Sequence, residues 1–187
     1  MTTRVLPKAT DTVAEINALL EGLDNPVHKH MLSVVRDHYW AEVVWDVPAI
    51  MATLSPTAPI HYRFHGGAFL GLDGMTVETR ETTQALYEST RDVGVTIGPM
   101  EQMKCAVGAN GTFQEVLVSA VFPGSLMPGL ADQVDPEKFY LVSWYQSVYN
   151  PFDEENRYMT GEIVYNANTP LSIEEVDRDF GKEITGI

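Results

Sequence analysis

The dipeptide Asn110-Gly111 constrains this chain more than any other short stretch. Both residues accept the positive φ of a tight turn, and two long strand-forming runs flank them, Val95 to Val107 and Thr112 to Phe122. They predict a long β-hairpin. Further strands are predicted over Phe139 to Tyr149 and Tyr158 to Tyr165, with a polar turn at Asp153-Glu154-Glu155-Asn156 between them. A Pro- and Gly-rich loop runs from Phe122 to Glu137. Ahead of the hairpin the apolar period changes. Thr12-Val13-Ala14-Glu15 reads as a capping box that opens a short helix to about Gly22. Asn25-Pro26 opens a longer helix to about Trp45, whose apolar stripe is Val27, Met31, Val34/Val35, Tyr39 and Trp45. Asp46 caps a short helix over Val47 to Leu54. Ile60 to His65 reads as a strand ended by Gly66-Gly67, and Thr76 as the cap of a helix from Val77 to about Arg91. Helices come first and a mostly antiparallel sheet follows. That order predicts an α+β fold with three to four helices packed on one face of a curved sheet, the interior of the cone being a natural ligand site.

A chain of 187 residues suits one domain, with a core over about residues 10–167 and an acidic tail over 168–187. There is a single cysteine, Cys105, so no intramolecular disulfide forms. The net charge of −14 repels a polyanion and no basic stripe is visible, which argues against a nucleic-acid partner. No apolar run reaches the length of a membrane span, and Met1 to Lys8 lacks the apolar core of a signal peptide. The expectation is a soluble, cytoplasmic protein. Gly66-Gly67 lacks the spacing of a dinucleotide fingerprint, so no such cofactor is expected.

His38 and Glu42 stand four apart on the second predicted helix and share its inward face. Two ionisable groups on an apolar stripe are costly unless paired, and a His–Glu pair in a pocket makes a general acid/base. Tyr62, mid-strand, presents a phenol that stabilises charge on a substrate oxygen if it faces inward. Strand alternation then puts Phe64 inward and His61, Arg63 and His65 outward, unless Gly66-Gly67 introduces a bulge that turns His65 in. His28-Lys29-His30 and the His61/His65 pair have the wrong spacing for one metal ion, and no metal site is expected. Trp144, Tyr145, Tyr149 and Tyr165 lie on the late strands, where inward rings suit a flat ligand, and Glu162 is a further inward carboxylate. The candidate set is His38, Glu42 and Tyr62 for catalysis, with Tyr39, Phe64, His65, Trp144, Tyr145 and Glu162 for substrate binding. Cys105 reads as a structural thiol.

The element order resembles the nuclear-transport-factor-two-like superfamily, in its SnoaL-like and scytalone-dehydratase-like branch, over about residues 10 to 167. Three segments carry the likeness. His38-Tyr39-Trp40-Ala41-Glu42-Val43-Val44-Trp45-Asp46-Val47-Pro48-Ala49-Ile50-Met51 resembles the second helix and its aspartate-capped successor. Ile60-His61-Tyr62-Arg63 is similar to the first strand of scytalone dehydratase, which supplies a catalytic tyrosine. Asn150-Pro151-Phe152-Asp153 through Gly161-Glu162-Ile163-Val164-Tyr165 resembles the closing strand pair of SnoaL-like proteins. Aligned without gaps from Asp46, Tyr62 matches the dehydratase's strand tyrosine, Glu42 its second active-site tyrosine and Val43 its aspartate. Against ketosteroid isomerase, His38 falls on the oxyanion-hole tyrosine and Tyr62 on the aspartate base. The five histidines, His28, His30, His38, His61 and His65, precede residue 66, whereas the dehydratase uses histidines in mid-sheet.

The resemblance implies a cofactor-independent lyase, a dehydratase or related elimination enzyme, acting on a small hydrophobic cyclic or aromatic molecule. An isomerase or polyketide-cyclase activity in the same pocket is the second expectation, and a non-catalytic binding or interaction domain the third. Relatives that pair through the sheet make a homodimer the expected assembly.

Overall fold

The computed structural model describes residues 6–155 and 157–187. The readings of Met1 to Val5 and of Asn156 lie outside the described residues. The elements are α1 (Ala9–Gly22), α2 (Pro26–Val43), α3 (Val47–Ala52), β1 (His61–Gly66), β2 (Thr76–Val77), α4 (Arg80–Asp92), β3 (Thr96–Val107), β4 (Gly111–Pro123), β5 (Phe139–Pro151), β6 (Gly161–Asn166), β7 (Ser172–Val176) and α5 (Gly181–Thr185). The seven strands form one curved sheet in the order β2-β1-β6-β5-β4-β3, with β7 paired to β5. All pairings are antiparallel except β1 with β6. This is the expected α+β arrangement of helices on a curved, mostly antiparallel sheet.

The hairpin forms where Asn110-Gly111 places it. Two register shifts in β3, between Ile97 and Met100 and between Gln102 and Lys104, bend that strand, as bulges do. Asn25 caps α2 by accepting from Val27 N at 2.9 Å, and Asp46 caps α3 by accepting from Ala49 N at 3.0 Å. α2 stops two residues early because Trp45 takes a positive φ of 53°.

Three local readings are corrected. α1 starts at Ala9, not after Thr12, and Thr12 is buried inside it. Its hydroxyl accepts from Met100 N at 3.0 Å and lies 3.3 Å from Met100 O, so it fastens α1 to β3 instead of capping. α4 is capped by Thr79, and Thr76-Val77 pair with β1 as a short strand. The acidic C-terminal stretch is held against the sheet: β7 extends the edge beside Phe139–Ser143, and Ile184 packs with Val121 and Leu141. Gly98 makes room for that contact, because a Cβ there would stand 2.6 Å from Ile184 Cδ1.

One apolar cluster joins α2 and α3 to Tyr62, Tyr87 and Phe152. A second joins the inward faces of β4 and β5, Val116, Val118, Ala120, Val142 and Trp144, to the loop residues Met127 and Leu130. Between helices and sheet lies the cavity described next. No helix among the described residues is long and apolar enough to cross a membrane.

Candidate functional site

β1 and β6 run side by side with Tyr62 opposite Glu162 and Phe64 opposite Val164. The two-residue period of a strand points all four to the concave face. α2 crosses that face, and one of its turns supplies His38 and Glu42.

His38 is 2% exposed. Its Nδ1 lies 2.6 Å from Thr53 Oγ1, whose own hydrogen is committed to the Ile50 carbonyl at 2.6 Å. The hydroxyl therefore accepts, and Nδ1 carries a proton. Nε2 lies 3.1 Å from the Tyr87 hydroxyl, 3.5 Å from Glu42 Oε1 and 3.9 Å from Glu162 Oε1. Tyr87 donates to the Tyr62 hydroxyl at 3.2 Å. Asn150 Nδ2 donates to Glu162 Oε1 at 3.1 Å.

Burial is the largest single influence on His38 and lowers its pKa. Glu42 and Glu162 together outweigh it, and the pKa ends above the imidazole value of 6.5. Glu162 is pushed up to about 7, first by burial and then by the charge of Glu42, with His38 and Asn150 pulling it down. Burial, then the neighbouring Glu162, raises the Tyr62 phenol, and burial, then Tyr62, raises that of Tyr87. Near neutral pH the cluster thus holds two neutral phenols and an exchangeable proton on His38 and Glu162.

The cavity has two parts. An outer chamber of about 440 Å³ is walled by apolar and aromatic side chains, among them Trp45, Phe64, Phe122 and Trp144, with Tyr62, Tyr87 and Glu162 in its wall. An inner chamber of about 50 Å³ is lined by His38, Tyr39, Thr12, Gln102, Gln114, Gln146, Asn150 and Glu162, with Ile16, Val35, Val116 and Val148. The chambers share Met100, Gln146 and Glu162.

The structure brings together His38, Glu42, Tyr62 and Glu162. Tyr39, its hydroxyl bonded to the Gly98 carbonyl at 2.8 Å, lines the inner chamber. Phe64 and Trp144 line the outer one, Trp144 donating from Nε1 to Asn166 Oδ1 at 2.9 Å. His65 and Tyr145 are placed elsewhere. Gly66 keeps the register with Asn166, so no bulge intervenes, and alternation turns His65 to the opposite face, stacked 4.7 Å from Tyr165. Tyr145 points to the same outer face and is 47% exposed. Neither touches the cavity. Sequence reasoning missed Thr53, Tyr87, Gln146 and Asn150. Tyr87 left one trace: with Thr83, four residues earlier, it is a buried position on an otherwise polar helix.

No protein-family model matches the chain, and no curated protein is similar enough to count as a relative. Solved structures do match. A protein classed as a SnoaL-like polyketide cyclase, from Shewanella denitrificans OS-217, is 10% identical with a TM-score of 0.56, covering 76% of this chain and 91% of its own. One classed as a polyketide cyclase, from Xanthomonas campestris pv. campestris, is 13% identical with a TM-score of 0.53, covering 74% and 91%. One classed as an isomerase, from Rhodopseudomonas palustris, is 11% identical with a TM-score of 0.51, covering 71% and 84%. The chain has the fold of the nuclear-transport-factor-two-like superfamily, in its SnoaL-like form.

Proposed function

We propose that this protein is a cofactor-independent enzyme that moves a proton on a small, hydrophobic, ring-containing molecule bound in the outer chamber. The carrying observation is Glu162, a carboxyl group with a pKa of about 7 set in the wall of an apolar cavity beside His38. A base poised near neutrality in a water-poor site is what proton abstraction from carbon requires.

The reaction we assign is a lyase reaction, dehydration of a β-hydroxy carbonyl unit. Ionised Glu162 takes the proton from the carbon next to the carbonyl. The developing enolate oxygen is stabilised by hydrogen bonding from Tyr62, with Tyr87 behind it. The adjacent carbon–oxygen bond then breaks, and the departing hydroxide takes back the proton from Glu162 and leaves as water. His38 and Glu42 stand behind Glu162, whose affinity for the proton is raised first by burial and then by Glu42 and is lowered by His38. Returning the proton to a different carbon would make the same groups an isomerase, a second reading favoured by the neighbour classed as one.

The test is mass spectrometry of wild type incubated with a panel of aromatic, steroid and polyketide-like ring compounds. Glu162→Gln is expected to lower kcat by about 10²- to 10⁴-fold on any compound converted, and Tyr62→Phe by a smaller factor. A compound that wild type binds and never alters moves the assignment to a binding domain.

A further inference from the structure

Apart from His38 and Glu162, the side chains that line the inner chamber take no part in the proton transfer just described, yet they are unusual material. An ordered line of side-chain amides crosses it. Gln102 Nε2 donates to Gln114 Oε1 at 2.9 Å, Gln114 Nε2 to Asn150 Oδ1 at 3.3 Å, and Asn150 Nδ2 to Glu162 Oε1 at 3.1 Å. Every donor in the line points toward Glu162. The other end is incomplete: Gln102 Oε1 is buried and has no hydrogen-bond partner among the described residues. The Gln146 side chain, in the wall shared by both chambers, makes no hydrogen bond to a described residue either. A buried amide oxygen left unpaired is destabilising, so Gln102 Oε1, with the half-buried and uncommitted Gln146 amide in the adjoining wall, asks for a polar occupant.

We propose that the inner chamber is a recognition pocket for one small, uncharged, hydrogen-bonding substituent, a hydroxyl above all, on a ring compound whose body fills the outer chamber. Size, charge and chemistry each narrow the occupant. The inner volume of about 50 Å³ takes a substituent of a few atoms and excludes a ring. Neither chamber is lined by a lysine or an arginine, and the one imidazole in the inner wall, His38, is already matched by Glu42 at 3.5 Å and Glu162 at 3.9 Å, so a carboxylate or phosphate finds no uncommitted positive charge. A hydroxyl both donates and accepts, and so meets a bare amide oxygen and a free amide together. The proposal rests on the outer chamber being the substrate site, but it does not depend on turnover.

The experiment is calorimetric titration with three probes that share one ring body: naphthalene, 2-naphthol and 2-naphthoate. Wild type is expected to bind 2-naphthol about tenfold more tightly than naphthalene, as one added hydrogen bond in a desolvated site allows. It is expected to bind 2-naphthoate no better than naphthalene. Gln146→Leu removes the junction amide at similar volume, and Val148→Phe fills the inner chamber from its apolar side. In both, the 2-naphthol preference should fall to within about twofold, and in Val148→Phe, which lies outside the outer chamber, naphthalene affinity should hold, with folding checked by thermal melts. Equal binding of naphthalene and 2-naphthol by wild type, tightest binding of 2-naphthoate, or no binding of any probe overturns the proposal. So does a preference that survives in both variants. A 2-naphthol preference without turnover of any panel compound would keep this pocket and remove the enzyme reading.

Discussion

Glu162 should make the folded protein less stable as the pH rises, and Glu162→Gln should cancel that loss. The group has a folded-state pKa of about 7 against an ordinary carboxyl value of 4.5. Because the folded value is the higher one, the folded state holds the proton more tightly. The favourable contribution is present below pH 4.5 and is lost as the pH climbs through 7. The difference between 4.5 and about 7 corresponds to about 3 kcal/mol at pH 8 and to less than about 1 kcal/mol at pH 5. Glutamine keeps the oxygen that accepts from Asn150 and cannot ionise. Urea denaturation of both proteins at pH 5 and pH 8 reads the difference directly. The variant is expected to be more stable than wild type by about 2–3 kcal/mol at pH 8 and nearly equal to it at pH 5. A stability difference that does not change between the two pH values would refute the assignment of a raised pKa to this carboxyl. A variant that is less stable at pH 8 would show that Glu162 is held by favourable charge pairing instead of opposed by burial.

Two further expectations concern the scaffold. Ile184→Ala should destabilise the fold by about 2–4 kcal/mol in urea melts, because it empties the contact that holds α5 on Val121 and Leu141; a change below about 0.5 kcal/mol would mean that the C-terminal segment adds nothing to the core. On the outer sheet face Phe113, Tyr145 and Tyr165 are exposed, with His65 stacked on Tyr165, and sedimentation equilibrium is expected to give twice the 20.8 kDa chain mass and to shift toward the monomer in Tyr165→Glu; a monomer at every concentration excludes the pairing.

Much of the scaffold was legible because its signals are local. Asn110-Gly111 fixes a turn by backbone freedom alone, and Asn25 and Asp46 satisfy helix N–H groups a few residues away. Thr12 shows where locality fails. Its spacing to Glu15 suits a cap, but burial against β3 offered its hydroxyl a stronger use with Met100, which is 88 residues away in the chain. β7 escaped for the opposite reason, since its acidic run carries no apolar period and it is a strand only because β5 has a free edge beside it. In the site, His38, Glu42 and Tyr62 were readable from spacing on single elements. Tyr87 was not, because its role depends on α4 bringing a phenol between an α2 imidazole and a β1 hydroxyl. His65 and Tyr145 were misplaced where strict alternation should have been trusted.

The run of contacts from Thr53 through His38 and Tyr87 to Tyr62 has a polarity that one proton can reverse. Thr53 can only accept, so the imidazole always spends Nδ1–H on it. With Nε2 also protonated, Tyr87 accepts from it and donates onward, and Tyr62 is left with its hydrogen free to offer to whatever lies in the cavity. When Nε2 is bare, Tyr87 must turn its hydrogen inward, Tyr62 must give its own to Tyr87, and the cavity meets lone pairs instead. A charge change buried beneath two rings is thereby displayed at the ligand surface as a choice between donor and acceptor, without movement of any backbone atom.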